Sequence, residues 1–232
     1  MNMLLESLRE AIEHSHVANT KKQHEKWFAK ILKSKGFVEK TLEEVGLTTN
    51  DIREQLTIYG PKIDFYVEQP LGSQNTPDFI VCYRGVIYYI ELKSSAKEKI
   101  TWNGGYPHDG YIYLFSTGTH DAQTVFLGED AWPADVKEEL LGFALSQKER
   151  TDNFNQTIGL SKPTQTFWSR IKSFFGIQEQ QQVRSTSKQS YYTRNMFNDN
   201  EKYYSRDDRE EYEQKVFEFI YSTSGVADAA AK

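Results

Sequence analysis

The first part of the chain places apolar residues among polar ones at helical spacing. One such stretch covers residues 4–14, and a second runs from about Lys21 to Lys35 and ends at Gly36. Their apolar positions are Leu4, Leu5, Leu8 and Ile12, and then Trp27, Phe28, Ile31 and Leu32. Because residues three and four apart share one face of a helix, both stretches predict amphipathic helices that cover a core.

Short apolar runs rich in β-branched and aromatic residues follow, and they predict strands. These runs are Ile63–Val67, Phe79–Tyr83, Val86–Leu92, Tyr111–Ser116 and Thr124–Leu127. Further helices are predicted within Thr41–Ile58, from Trp132-Pro133 to about Ala144, and from Asp207 to Tyr221, with a frayed tail from Gly225 to Lys232. We therefore expect an α/β fold with a central mixed β-sheet of about five strands flanked by α-helices.

The stretch TPDFIVCYRGVIYYIELKSS, residues 76–95, carries the chemistry. Its two apolar runs flank Arg84-Gly85, a pattern that predicts an antiparallel hairpin with a tight turn. Side chains alternate across a strand, so Glu91 and Lys93 share one face while Ile90 and Leu92 lie on the other. The open ends of a hairpin lie together, which brings Asp78 towards Glu91. We expect two carboxylates and one ammonium in a single small site.

Two carboxylates without thiolate or imidazole favour a hard divalent cation. Mg²⁺ takes carboxylate and water oxygens and retains several waters, and Mn²⁺ accepts the same ligands. A lysine beside such an ion can orient or deprotonate a water, or stabilise negative charge on a phosphate. The reaction class indicated is hydrolysis of a phosphodiester, and the alternative is a structural hairpin with a solvated charged rim.

At these residues the chain resembles the PD-(D/E)XK nuclease superfamily. Pro77-Asp78 matches the first half of the motif and Glu91-Leu92-Lys93 the second, and the likeness extends over about Asp64 to Thr117. The resemblance implies a restriction-endonuclease-like core, with Mg²⁺ held by Asp78, Glu91 and the Leu92 carbonyl. Lys93 would position or activate the attacking water. An N-terminal helix lends a further acid in many such nucleases, and Glu25 is the candidate here; its alternative is an ion pair with Lys21 or Lys22.

Within that superfamily the chain looks most like a type II restriction endonuclease. This implies sequence-specific hydrolysis of double-stranded DNA with 5′-phosphate ends, a homodimer on a palindromic site, and a separate cognate DNA methyltransferase. Two alternatives remain open. A structure-specific or repair nuclease, such as a junction resolvase, would share the motif, and a catalytically inactive DNA-binding module would retain only the fold.

Charge is unevenly distributed, with a net charge of −5 over 232 residues. From Thr151 to Phe197 six cations face two acids, and the cations are Lys162, Arg170, Lys172, Arg184, Lys188 and Arg194. This segment is also rich in Gln, Asn, Ser and Thr, which read base edges, while Lys and Arg contact phosphates. We predict DNA binding by Arg184, Lys188, Tyr191 and Arg194, and by the flexible loop Asn103-Gly104-Gly105. A polar loop without specificity is the alternative for both.

These observations predict a catalytic core at residues 1–150, a recognition segment at 151–198, a closing helix at 199–225 and a tail at 226–232. Cys82 is the single cysteine, so no intrachain disulfide forms, and we expect it in the core. No apolar run is long enough to span a membrane and no signal peptide is seen, so a cytoplasmic protein is expected; the resemblance to restriction endonucleases implies a prokaryotic one.

Other polar residues near the motif remain secondary candidates. Asp64 and Glu68 are spare acids near the site in sequence. The scattered histidines His14, His16 and His24 are expected at the surface, as is His108, which could otherwise serve as a second base near the metal.

Overall fold

The computed structural model describes residues 2–17, 23–61, 63–73, 75–96, 107–131 and 206–230, with residues 100 and 102 and a few positions between 137 and 153. The chain divides into two compact units, Met1–Ala131 with Ser190–Lys232, and Trp132–Gln189. The first unit contains helices α1 (Met3–Ile12), α2 (Gln23–Ser34), α3 (Thr49–Arg53) and α4 (Arg206–Ala230). Its strands are β1 (Val38–Glu39), β2 (Phe65–Glu68), β3 (Phe79–Tyr83), β4 (Val86–Ser95), β5 (Tyr111–Thr117) and β6 (Ala122–Leu127).

The six strands form one mixed sheet in the order β1-β2-β3-β4-β5-β6. Strand β3 is antiparallel to both of its neighbours, β2 and β4, and β6 is antiparallel to β5. Two pairs are parallel, namely β1 with β2 and β4 with β5. The α/β class and the mixed sheet flanked by helices are therefore as predicted.

Side chains alternate between the two faces along each strand, and both faces of the sheet are covered by other elements. One face packs on α1, α2 and α4, and its sheet residues include Phe79, Val81, Ile90, Leu92 and Leu114. The opposite face packs on the segment around α3 and includes Ile80, Cys82, Tyr89, Tyr113 and Phe115. Burial on both sides explains why the strands have near-continuous apolar sequences.

The turn between β3 and β4 fixes the register of the hairpin. Arg84 and Gly85 have φ values of 52° and 80°, the left-handed conformations that a two-residue type I′ turn requires. A side chain at Gly85 would also meet the Tyr59 carbonyl oxygen at 2.8 Å. The turn then pairs Tyr83 with Val86 and, at the far end, Phe79 with Ile90.

Two elements differ from the sequence-based prediction, and a third cannot be compared. Strand β1 was not predicted, because two exposed residues give no alternating pattern. Helix α4 continues to Ala230, through Gly225, where a tail was expected. The opening of the helix at Trp132-Pro133 lies outside the described residues, although the described positions from 137 to 153 are helical.

Burial decides the prediction for the single cysteine. Cys82 is completely buried in β3, and burial raises the pKa of its thiol to about 12, so it is a core residue as expected. Among the residues that the structure describes, no helix is long and apolar enough to cross a membrane.

Candidate active site

The candidate site forms where β4 outruns β3. Phe79 and Ile90 are the last pair of the hairpin, while β4 continues to Ser95 beside β5. Beyond that pair, the Leu92 amide has no β3 carbonyl to bond. Asp78 takes the place of a strand neighbour, because its Oδ2 accepts the Leu92 N–H at 2.9 Å. Asp78, the acid of the first half of the motif, is thus hydrogen-bonded to Leu92, the middle residue of the second half.

Glu91 completes the pair of acids. Its Oε2 accepts the backbone N–H of Asp78 at 3.1 Å, and its side chain is buried. Lys93 binds the other oxygen, with 2.6 Å between Nζ and Oε1. The three side chains expected to share a site are therefore joined through Glu91 and the Leu92 amide.

Lys93 and Glu91 lie on one face of β4, while Ile90 and Leu92 pack on the opposite, helical face. The Lys93 ammonium lies 5.5 Å from the centre of the Trp102 ring, within the range of a cation–π contact. This contact cannot be predicted from sequence, because nothing in the pattern of residues relates Trp102 to Lys93.

The surroundings of Asp78 disfavour its ionised form. Burial raises the pKa of its carboxyl to about 7, and the neighbouring charge of Glu91 adds to the rise. The Leu92 N–H and the Lys93 ammonium act in the opposite direction. An acid in this position holds a proton near neutral pH unless a further cation balances its charge.

The donor set fits a hard divalent ion. Among the described residues, no group of three His, Cys, Asp or Glu side chains is arranged to hold a metal. Mg²⁺ is usually held by one or two carboxylates together with waters and substrate phosphate. The Leu92 carbonyl points to the same side of β4 as its N–H, towards Asp78, because both groups of one strand residue point the same way. Asp78, Glu91 and this carbonyl match that incomplete coordination.

Glu25 lies in the first turn of α2 and is buried, with 8% of its surface exposed. Its Oε2 has no hydrogen-bond partner among the described residues, and its charge contributes to the raised pKa of Asp78. A buried carboxylate oxygen without a partner is costly. Lys21 and Lys22, the partners in the alternative reading, lie outside the described residues.

His14 and His24 differ in their exposure to solvent. His14 is exposed, as expected, but the prediction for His24 is wrong, because this side chain is completely buried against Trp27. Burial lowers the pKa of His24 to about 4, so the ring is neutral. His24 follows Gln23 at the start of α2. The helical pattern of apolar residues did not predict its burial, because histidine counts as polar in such a pattern.

His16 is half-buried and belongs to a polar contact at the end of β5. Its Nδ1 lies 2.8 Å from Ser116 Oγ, which also accepts the Val17 N–H at 2.9 Å. Ser94 Oγ donates to the Val17 carbonyl at 3.0 Å. These bonds hold the segment after α1 over the ends of β4 and β5, next to Lys93. This contact could not be predicted from sequence, because the residues that form it are far apart in the chain.

The secondary acids lie at different places. Asp64 accepts the Arg84 N–H at 2.8 Å, at the turn end of the hairpin, so it does not supplement Asp78. Glu68 is paired with Phe79, the residue after Asp78.

The predicted DNA-contact residues Asn103, Gly104 and Gly105, and Arg184, Lys188, Tyr191 and Arg194, lie outside the described residues.

Comparisons with known proteins identify no family for the chain. No family model matches it, and no solved structure matches it significantly. Over 89 residues it is 28% identical to serine carboxypeptidase-like 4 of Arabidopsis thaliana, a match that covers 33% of this chain. The chain spans 19% of the length of that curated relative.

Among the described residues, the contact of Ser116 with His16 does not give this partial likeness a catalytic counterpart. A serine nucleophile needs a neighbouring histidine and access for the substrate. Ser116 does contact His16, but the serine is completely buried and its oxygen also accepts the Val17 N–H. Ser116 therefore stabilises the fold and does not offer a reactive hydroxyl.

Proposed function

We propose that this protein is a Mg²⁺-dependent endonuclease that hydrolyses phosphodiester bonds of double-stranded DNA, of the type II restriction kind. The observation that carries the proposal is the connected set of Asp78, Glu91 and Lys93 at the open end of the hairpin. Lys93 bonds one oxygen of Glu91, while the other oxygen of Glu91 accepts the Asp78 amide. Two acids held together at the edge of a sheet favour a cation ligand over a structural role.

The residues that would hold the ion are Asp78, Glu91 and the Leu92 carbonyl, with Glu25 as the further acid. Bound Mg²⁺ would supply positive charge for the phosphate and a more acidic water. The raised pKa of Asp78 supports this assignment, because burial and the Glu91 charge disfavour an ionised Asp78 that a bound cation would stabilise. Glu25 supports it as well, since its buried oxygen has no partner among the described residues.

Lys93 contributes the positive charge that the chain itself provides. Its Nζ is fixed between Glu91 Oε1 at 2.6 Å and the Trp102 ring. An ammonium held in this way can orient a water or stabilise the negative charge that develops on a phosphate. Because side-chain positions are fixed before substrate arrives, little reorganisation is required at the moment of reaction.

The choice of double-stranded DNA and of a sequence-specific homodimer follows from the resemblance of residues 64–117 and from the basic, amide-rich sequence 151–198. Cleavage at a palindromic site would match a two-fold symmetric dimer. The alternatives are a junction-resolvase-like or repair nuclease and an inactive DNA-binding module, and both keep the same hairpin.

A digest of unmethylated genomic-length DNA with Mg²⁺ separates these functions. The proposal predicts discrete fragments with 5′-phosphate ends and no fragments when the metal is chelated. A smear would favour cleavage without sequence preference, and cutting restricted to branched DNA would favour a junction enzyme. Retarded but uncut DNA would favour a binding module, and intact, unretarded DNA would refute the proposal.

A further inference from the structure

Two side chains outside the carboxylate pair meet at the rim of the site. Thr76 precedes Pro77-Asp78, and its Oγ1 lies 3.4 Å from Nε2 of His108. They belong to separate segments, one leading into β3 and the other into β5. Thr76 is half-buried and His108 is exposed, so both polar atoms are near solvent beside Asp78.

The backbone of His108 is held firmly although its side chain is exposed. Its N–H donates to the Tyr113 hydroxyl at 3.0 Å, and its carbonyl accepts the Tyr111 N–H at 3.2 Å. Gly128 packs so closely that a Cβ there would lie 1.9 Å from the His108 oxygen. The imidazole rests on the Tyr111 ring at 4.9 Å between centroids. A residue whose backbone is held in this way can present its side chain to a ligand in a defined position.

The electrostatic surroundings favour neutral donors at this place. Partial loss of solvent lowers the pKa of His108, against the opposing effect of the Glu91 and Asp109 charges, while the Lys93 ammonium lowers it further. A neutral imidazole has one N–H donor and the Thr76 hydroxyl has another; one of these donors joins the two side chains, and the other is left for a phosphate oxygen. Two carboxylates repel a polyanion, so donors at the rim are needed to bring a phosphate close without adding another charge.

We propose that Thr76 and His108 together bind a phosphate group of the DNA backbone next to the bond that is cut. The inference rests on the proposed function and adds two substrate-contacting residues to it. It assigns a role to a histidine that the sequence placed at the surface. It also explains why Thr76, directly before the Pro-Asp half of the motif, is aligned with a residue 32 positions later.

Fluorescence anisotropy of a labelled duplex with Ca²⁺ in place of Mg²⁺ measures binding without cleavage. We expect His108→Ala to raise the Kd about tenfold and Thr76→Val somewhat less, as for hydrogen bonds to a charged group. The double variant should lose less than the product of the two effects, because both residues bind one phosphate. His108→Gln, which keeps an N–H donor, should recover part of the affinity.

His14→Ala is the matched control, because His14 is an exposed histidine whose hydrogen bond is to the adjacent Ser15 carbonyl. It should leave the Kd unchanged. The dependence of the Kd on salt should also stay the same in His108→Ala, because a neutral donor adds no counterion release. Thermal melting of each variant checks that the fold is retained.

The outcomes separate this inference from the proposed function. Unchanged affinity in both His108→Ala and Thr76→Val overturns the phosphate contact, while Mg²⁺-dependent cutting by the wild type still supports the nuclease. A wild type that binds but does not cut DNA refutes the nuclease, and a loss of affinity in the variants then still supports the contact. A wild type that neither binds nor cuts DNA overturns both.

Discussion

The two ends of the β3–β4 hairpin each carry an aspartate bound to a backbone amide, yet they differ in chemistry. At the turn end, Asp64 accepts the Arg84 N–H at 2.8 Å. At the open end, Asp78 accepts the Leu92 N–H at 2.9 Å. The hydrogen bonds are nearly identical, but Asp78 has a second carboxylate beside it, that of Glu91, and burial together with this charge raises its pKa to about 7.

This difference shows that an amide contact alone does not make a reactive acid. Burial and a neighbouring like charge raise the free energy of the ionised form of Asp78. A cation bound at the open end would balance this charge and stabilise the ionised form. The turn end instead uses its aspartate to stabilise a tight turn. The fold therefore separates the residue that fixes the hairpin from the residue that we propose for chemistry.

The largest effect is expected from a matched pair of isosteric variants. Asp78→Asn keeps an oxygen that can accept the Leu92 N–H but removes the charge, and we expect single-turnover cleavage to fall by about 10³-fold or more, or roughly 4 kcal/mol. Asp64→Asn makes the same change at the turn end and should cut at the wild-type rate. Equal losses in both variants would show that the two ends do not differ in function.

Glu25→Gln comes next. If Glu25 is the further acid, we expect about a tenfold to hundredfold lower cleavage rate, partly recovered by more Mg²⁺, because one of several ligands is lost. Rates are measured across a range of Mg²⁺ concentrations. A variant that melts at a lower temperature but cuts normally would instead support the ion pair with Lys21 or Lys22.

The pH dependence of stability should differ between wild type and Asp78→Asn. The folded pKa of about 7 lies above the unfolded value near 3.8, so the folded state binds more protons between these values. Wild-type stability therefore loses a contribution as pH rises from about 4 to 7, while the variant does not. Melting of both proteins without metal should show a Tm difference, in favour of Asp78→Asn, that grows over this window.

The outcome with metal sharpens the same comparison. At pH 8, added Mg²⁺ should raise the Tm of the wild type and leave that of Asp78→Asn nearly unchanged, because a ligand stabilises only the state that binds it. Parallel melting curves for the two proteins from pH 4 to 8 would contradict the assigned environment of Asp78.

The smallest effect on chemistry is expected at the turn. Gly85→Ala forces a Cβ to 2.8 Å from the Tyr59 oxygen at a φ of 80°, and we expect a loss of about 1–3 kcal/mol in the free energy of unfolding. Urea denaturation measures this loss. The folded variant should still cut at the wild-type rate, and a much slower rate would mean that the turn and the open end are coupled.

The hairpin could be predicted from sequence because its signals are local. Arg84-Gly85 between two apolar runs specifies the turn, and the period of two then places Glu91 and Lys93 on one face. The strand pairing carries Asp78 to Glu91 without further information. For the same reason, the division of β4 into a core face with Leu92 and a site face with Lys93 is as predicted.

Contacts that join distant segments could not be predicted in this way. Strand β1 is two residues long and exposed, so it lacks a periodic pattern. The contact of Thr76 with His108 depends on the loop before β5, and the burial of His24 depends on how α2 packs. Each of these features depends on tertiary packing, which cannot be inferred from composition or from the spacing of residues.

Single-turnover cleavage of an end-labelled DNA by the wild type and by Lys93→Ala tests the central claim most directly. With Mg²⁺, the wild type should cut and leave 5′-phosphate ends. Lys93→Ala should bind the same DNA but cut it about 10³-fold more slowly, since the only cation bonded to Glu91 in the described site is removed. Equal rates for the two proteins, or no Mg²⁺-dependent cutting by the wild type, would contradict a nuclease site at Asp78, Glu91 and Lys93.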